Sequence, residues 1–146
     1  MPEAAADPVA AVVAILKAAP DAPGGLAGRV FGGELPAGEA AAMPRAGIVV
    51  RASGGVSLTS GSYAEHDTMR VDLFAYGQTA ALAASLNAWA ALQLRRVERV
   101  VAAQTLVHWV GSAGGYSSGR EPVTEWPRAF QSFQVFHALQ AVPGAI

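Results

Sequence analysis

The sequence predicts an α+β domain: a mostly antiparallel sheet of four to five strands with two helices packed on one face. Three observations predict it. The chain has 146 residues, the length of one domain, and a chain of that length buries roughly 68–70% of its unfolded surface without staples. Two segments open on helix caps and continue with apolar residues at helical spacing. Four or five others carry the β-branched, aromatic or alternating patterns of strands.

Asp7-Pro8 reads as a helix start, since Asp accepts from free first-turn amides and Pro suits the first helical position. Val9, Val12, Val13 and Leu16 follow as one stripe, and Pro20 with Pro23-Gly24-Gly25 stops the helix, giving a range of 8–19. Residues 20–45 are rich in Pro, Gly and Ala, with Arg29-Val30-Phe31 the one strand-like piece. Ala46 to Ala52 is a β-branched strand. Residues 53–67 form a polar, glycine-rich connection too long for a tight hairpin. Thr68 to Tyr76 alternates cleanly, with Met69, Val71, Leu73 and Ala75 on one side and Arg70, Asp72, Phe74 and Tyr76 on the other. Thr79 caps a second helix lined by Leu82, Leu86, Trp89 and Ala90. Val100 to Val110 reads as one alternating strand and 111–127 as a long loop. Phe130, Phe133 and Phe136 are spaced by three, which fits helix or strand; aromatic content favours strand over 129–139. The whole of 1–146 reads as a single domain.

Composition narrows the function. There are no cysteines, which excludes a disulfide framework, thiolate zinc sites and a thiol nucleophile. Net charge is −1 and the pI about 6.3, so no electrostatic binding of nucleic acid is expected. Charged residues make up 14% of the chain, and 32 residues are alanine. Few charges and much small apolar surface fit a subunit that hides part of its exterior in an assembly. The first apolar run, Ala10 to Ala19, is short for a membrane helix, is interrupted by Lys17 and lacks a basic stretch before it. A soluble protein made in the cytoplasm is expected, with no membrane partner.

Motifs for chemistry are weak. Gly115-Tyr116-Ser117-Ser118-Gly119 matches the nucleophile-elbow pattern, but the elbow needs a strand running straight in and a helix leaving. The strand ends near Val110, and Pro122 discourages a helix. A flexible glycine-serine loop is the expectation for Ser117. His66, His108 and His137 fall on or beside three strands without ligand spacing, and read as polar or interfacial histidines rather than a metal site. No Gly-Lys-Ser/Thr phosphate loop occurs. Asp72 is unusual in a strand interior. It has two readings: a cross-strand pair with an arginine such as Arg51, or an ion pair between subunits. Arg95, Arg96 and Arg99 gather where cations suit a helix C-terminus. No enzyme and no cofactor is expected.

The order of elements carries a resemblance. An N-terminal helix leads through Gly28-Arg29-Val30-Phe31 and Leu35-Pro36, then Pro44 and the Ile48-Val49-Val50 strand. Met69-Arg70-Val71-Asp72-Leu73-Phe74-Ala75-Tyr76-Gly77 runs into an alanine-rich helix, and Phe130-Gln131-Ser132-Phe133-Gln134-Val135-Phe136 closes the chain. Over residues 8 to 138 this resembles the tail terminator (tail completion) family of long-tailed phages and gene transfer agents, with segment 69–94 the most distinctive. The resemblance implies a homo-hexameric ring that caps the tail tube, ends its growth and meets a head-side connector or stopper protein, without catalysis. Candidate ring or partner contacts are Val56, Leu58 and Tyr63 in the long connection, Asp72, Arg95, Arg96 and Arg99, and Tyr116. Two alternatives stand beside it: another neck component such as a stopper or head–tail adaptor, and a small α+β ligand-binding domain.

Overall fold

Asp7 opens the first helix as its residue type predicts. Its Oδ1 accepts from the Ala10 N–H at 3.1 Å, and Pro8 takes the first position of α1 (Pro8–Ala18). The helix stops where Ala19 turns extended ahead of Pro20, the conformation that a following proline favours. The computed structural model describes residues 5–54 and 65–143. After α1 come β1 (Val30–Gly32), the single turn α2 (Ala37–Ala40), β2 (Gly47–Ala52) and β3 (His66–Tyr76). Then follow α3 (Ala80–Arg95), β4 (Val100–Ala102), β5 (Thr105–Ser112), β6 (Ser117–Arg120) and β7 (Pro127–Ala138).

The strands form one sheet in the order β1-β2-β3-β7-β5-β4, with β6 also paired to β7. β1 runs parallel to β2 and every other named pair is antiparallel. β7 is the central beam. One of its edges pairs with β3 from His66↔Ala138 to Tyr76↔Arg128. The other is shared by β5 and β6. Ser112 lies opposite Phe133 and Ser117 opposite Phe130, so five steps on one path match three on the other. β5 and β6 are thus one interrupted strand, with two extra residues bulged out around Gly114 and Gly115.

Alternation sorts the side chains. Val71 and Leu73 of β3, Phe133 and Val135 of β7, and Ile48 and Val50 of β2 turn to the helices and are fully or almost fully buried. They meet Val12 and Leu16 of α1 and Leu86, Ala90 and Leu94 of α3 in one core. Both long helices lie on that side. The opposite side carries Arg70, Asp72 and Phe74 of β3 beside Phe130, Ser132 and Phe136 of β7.

The α+β class and the two long helices on one side agree with expectation, but the sheet is larger and mixed. Among the described residues it has seven strands rather than four or five, and α2 adds a third, short helix. The segment 100–110 is not one strand but the hairpin β4–β5. Its two-residue turn, Ala103 and Gln104, has φ of 48° and 58°. Such turns ordinarily announce themselves with Asn or Gly, and here neither occurs. Within the expected loop 111–127, β6 escapes pattern reading because all four of its residues are exposed, leaving no buried–exposed alternation. The segment 129–139 is a strand, beginning two residues earlier than expected.

Candidate interaction surfaces

The outer side of α3 forms one wall of an open groove. Thr79 caps the helix, its Oγ1 accepting from the Leu82 N–H at 3.2 Å. Between Thr79 and Arg95 the helix contains no charged residue. Its exposed positions are Ala80, Ala81, Leu82, Ser85, Ala88 and Leu92 ahead of Arg95, with Leu82 38% and Leu92 48% exposed. Ala84, Ala88, Leu92 and Arg95 face Tyr116 and Gln131 across a groove of about 660 Å³. Asn87 also lines it and is 2% exposed. Its Nδ2 donates to Gln131 Oε1 at 3.1 Å, and Gln131 Nε2 reaches Ser112 Oγ at 3.4 Å. Asn87 Oδ1 is buried and has no partner among the described residues. A buried acceptor left unpaired costs about 1–3 kcal/mol. That gives Asn87 unused bonding capacity at the floor of the groove.

The arginine cluster divides. Arg95 borders the groove with Tyr116, so the fold brings together two of the residues singled out from the sequence. Arg96 is the helix C-cap and is exposed. Arg99 turns away: its backbone is left-handed at φ 52°, and its N–H donates to His108 O at 3.1 Å.

His108 of β5 and His66 of β3 meet above Phe136 of the intervening β7. His108 Nε2 and His66 Nδ1 are 2.9 Å apart, and the His108 ring lies 4.9 Å from that of Phe136. One ring must donate and the other accept, so the pair cannot survive as two imidazolium ions. Spacing along the chain does not reveal this bridge over a central strand. Among the described residues no group of three or more His, Asp or Glu side chains is arranged to hold a metal. The His108 pKa is held below its ordinary value, first by burial, then by the charges of His66, Arg99 and His137. Glu65 also stands 3.9 Å from His66 Nε2. The unfolded chain titrates this imidazole near 6.5, so below that pH it binds more protons than the fold does. Stability therefore falls as pH drops from 6.5 toward the lowered folded value. His108→Gln is expected to flatten this acid-side loss, read as the urea midpoint at successive pH values between about 7 and 5. An unchanged slope would place the acid sensitivity elsewhere.

Asp72 lies on the side of the sheet away from the long helices, on an interior strand. Arg51 stands directly opposite it on β2. The arginine nevertheless uses its Nε on Gly33 O at 2.7 Å and sets its guanidinium 5.3 Å from the Phe74 ring centre. Asp72 Oδ1 instead accepts from Ser132 Oγ at 2.6 Å, with Arg70 Nε 3.9 Å away. Arg70 Nη2 donates in turn to the same serine oxygen at 3.2 Å. Ser132, fully buried in β7, is the hub that sequence reading misses. Nothing in its neighbourhood along the chain marks it.

Val56, Leu58 and Tyr63 lie outside the described residues. Ser117 begins β6 opposite Phe130 and is followed by strand, not by a helix. The hairpin that follows has a tightly tied tip. Glu121 Oε2 accepts from the Thr124 N–H and hydroxyl, both at 2.5 Å, and from the Val123 N–H at 3.1 Å. Those bonds hold the Glu121 carboxyl below its usual pKa. Val123 at the tip is 88% exposed.

No protein-family model matches the chain, and no curated protein matches it in sequence. Among solved structures the fold is similar to that of a chain in the "Virion of native gene transfer agent (GTA) particle". The likeness has a TM-score of 0.56 at 17% identity and covers 90% of this chain and 95% of the other. At that identity what the two chains share is their fold.

Proposed function

We propose that this chain is a non-catalytic structural subunit of a phage-like particle. In that reading it forms a homo-hexameric ring that caps the tail tube, ends tube growth and joins the tail to the head-side connector. The observation that carries the reading is the fold shared with a gene transfer agent particle chain over nearly the full length of both. Two features of this chain support it. Charged residues are scarce, at 14%, and α3 presents an uncharged outer side that water alone covers poorly. A closed ring built from one protein uses two different faces of each subunit, and this molecule offers two dissimilar patches: the α3 groove and the exposed tip of the β6–β7 hairpin.

Electron microscopy of particles produced with a tagged chain tests the reading. The tag is expected at the neck, on the tail axis, in a ring of six. Deleting the gene is expected to leave heads unjoined and tails of irregular length. Tag density in the capsid shell or at the distal tail tip overturns the proposal. A ring that binds the portal alone and ignores preassembled tail tubes would instead identify a stopper or adaptor.

A further inference from the structure

We infer that the α3 groove of one copy receives the β6–β7 hairpin tip of a neighbouring copy, with Val123 seated between Ala88 and Tyr116. The inference rests on the ring reading and names the contact that would close it.

Five observations converge. A helix without a charge on its outer side until its last residue is ordinarily covered, and on the helix side the groove presents Ala84, Ala88 and Ala91, whose short side chains leave its wall open to an aliphatic group. At 88% exposure Val123 is plainly not in its own chain's groove. The tip is preorganised: besides the three bonds to Glu121 Oε2, Glu121 N–H donates to Trp126 O at 2.9 Å and Glu125 N–H to Glu121 O at 2.8 Å. Docking a segment already fixed loses little conformational freedom. Charge is complementary, since Arg95 and the adjacent Arg96 stand at the groove end while the tip carries Glu121 and Glu125. The unpaired Asn87 Oδ1 supplies an acceptor for an N–H of the incoming loop. Tip and groove are different patches of one chain, so the contact is head-to-tail and propagates from copy to copy until a ring closes.

The absence of cysteine makes the test clean. Ala88→Cys and Val123→Cys are made in separate, differently tagged copies, mixed and oxidised. The expected product is a disulfide dimer containing both tags, exceeding either variant oxidised alone. The double variant A88C/V123C in one chain is expected to give a covalent ladder. Arg95→Glu is expected to weaken association roughly tenfold, and Glu125→Arg on the same chain to restore it. An oligomer in light scattering that gives no mixed-tag dimer overturns this contact and leaves the ring standing. A chain that stays monomeric at about 1 mM and gives no dimer overturns contact and ring together.

Discussion

Phe133→Ala is expected to lower the unfolding free energy by about 3–5 kcal/mol, the range for truncating a fully buried phenylalanine. Phe133 is 0% exposed, lies opposite Val71 on one side and Ser112 on the other, and belongs to the core shared with α1 and α3. Strands on both edges of β7 fix the backbone, so the cavity has little means to collapse. For a domain of this size the melting temperature should drop by on the order of 10 °C or more. Phe130 and Phe136 make the comparison sharp. Each is three residues away on the same strand, but alternation sends both to the open side, where they are half-buried. Phe130 keeps a ring partner in Phe74 at 5.1 Å, so its truncation should cost distinctly less than that of Phe133. Equal losses at 130, 133 and 136 in urea titration would mean the open side is as dry as the core.

Those three phenylalanines also show what sequence can carry. Spacing by three is silent about helix or strand, and only the pairing of β7 between β3 and β5–β6 decides which ring is interior. Where a local cause suffices, sequence and structure agree: the Asp7 and Thr79 caps, the Pro8 start and the β3 alternation are each set by a few neighbouring residues. Features set by distant partners are out of its reach. Ser132 is the partner of Asp72 because β7, sixty residues later, lies beside β3. His66 and His108 meet across a strand. The clustering of Arg95, Arg96 and Arg99 in sequence suggests one patch, yet a left-handed Arg99 breaks it in two. The clearest sign of the α3 groove is present in the sequence as an absence, a helix whose first charged residue is its last, Arg95.

Gly77→Ala is expected to destabilise by about 1–3 kcal/mol through overpacking, by a route that also bears on assembly. Gly77 is buried at the junction of β3 and α3, its N–H donating to Pro127 O at 3.3 Å. A Cβ there would stand 2.7 Å from the Ala83 backbone nitrogen and 3.0 Å from Leu82 Cβ. A backbone nitrogen in the first turn of a helix cannot rotate aside. The start of α3 must lift from the sheet, carrying Asn87 and the rest of the groove floor with it. Gly38→Ala is the control of opposite sign, because a Cβ at Gly38 in α2 meets nothing within 4 Å. Relieving glycine's backbone entropy in a helix adds up to about 1 kcal/mol. Denaturant midpoints should therefore move down for Gly77→Ala and up or not at all for Gly38→Ala, at unchanged slope. If the groove works as inferred, Gly77→Ala should also reduce the disulfide cross-link between positions 88 and 123 under conditions where the subunit remains folded. A midpoint for Gly77→Ala at or above that of the parent chain would mean that close packing at this junction does not set the position of α3.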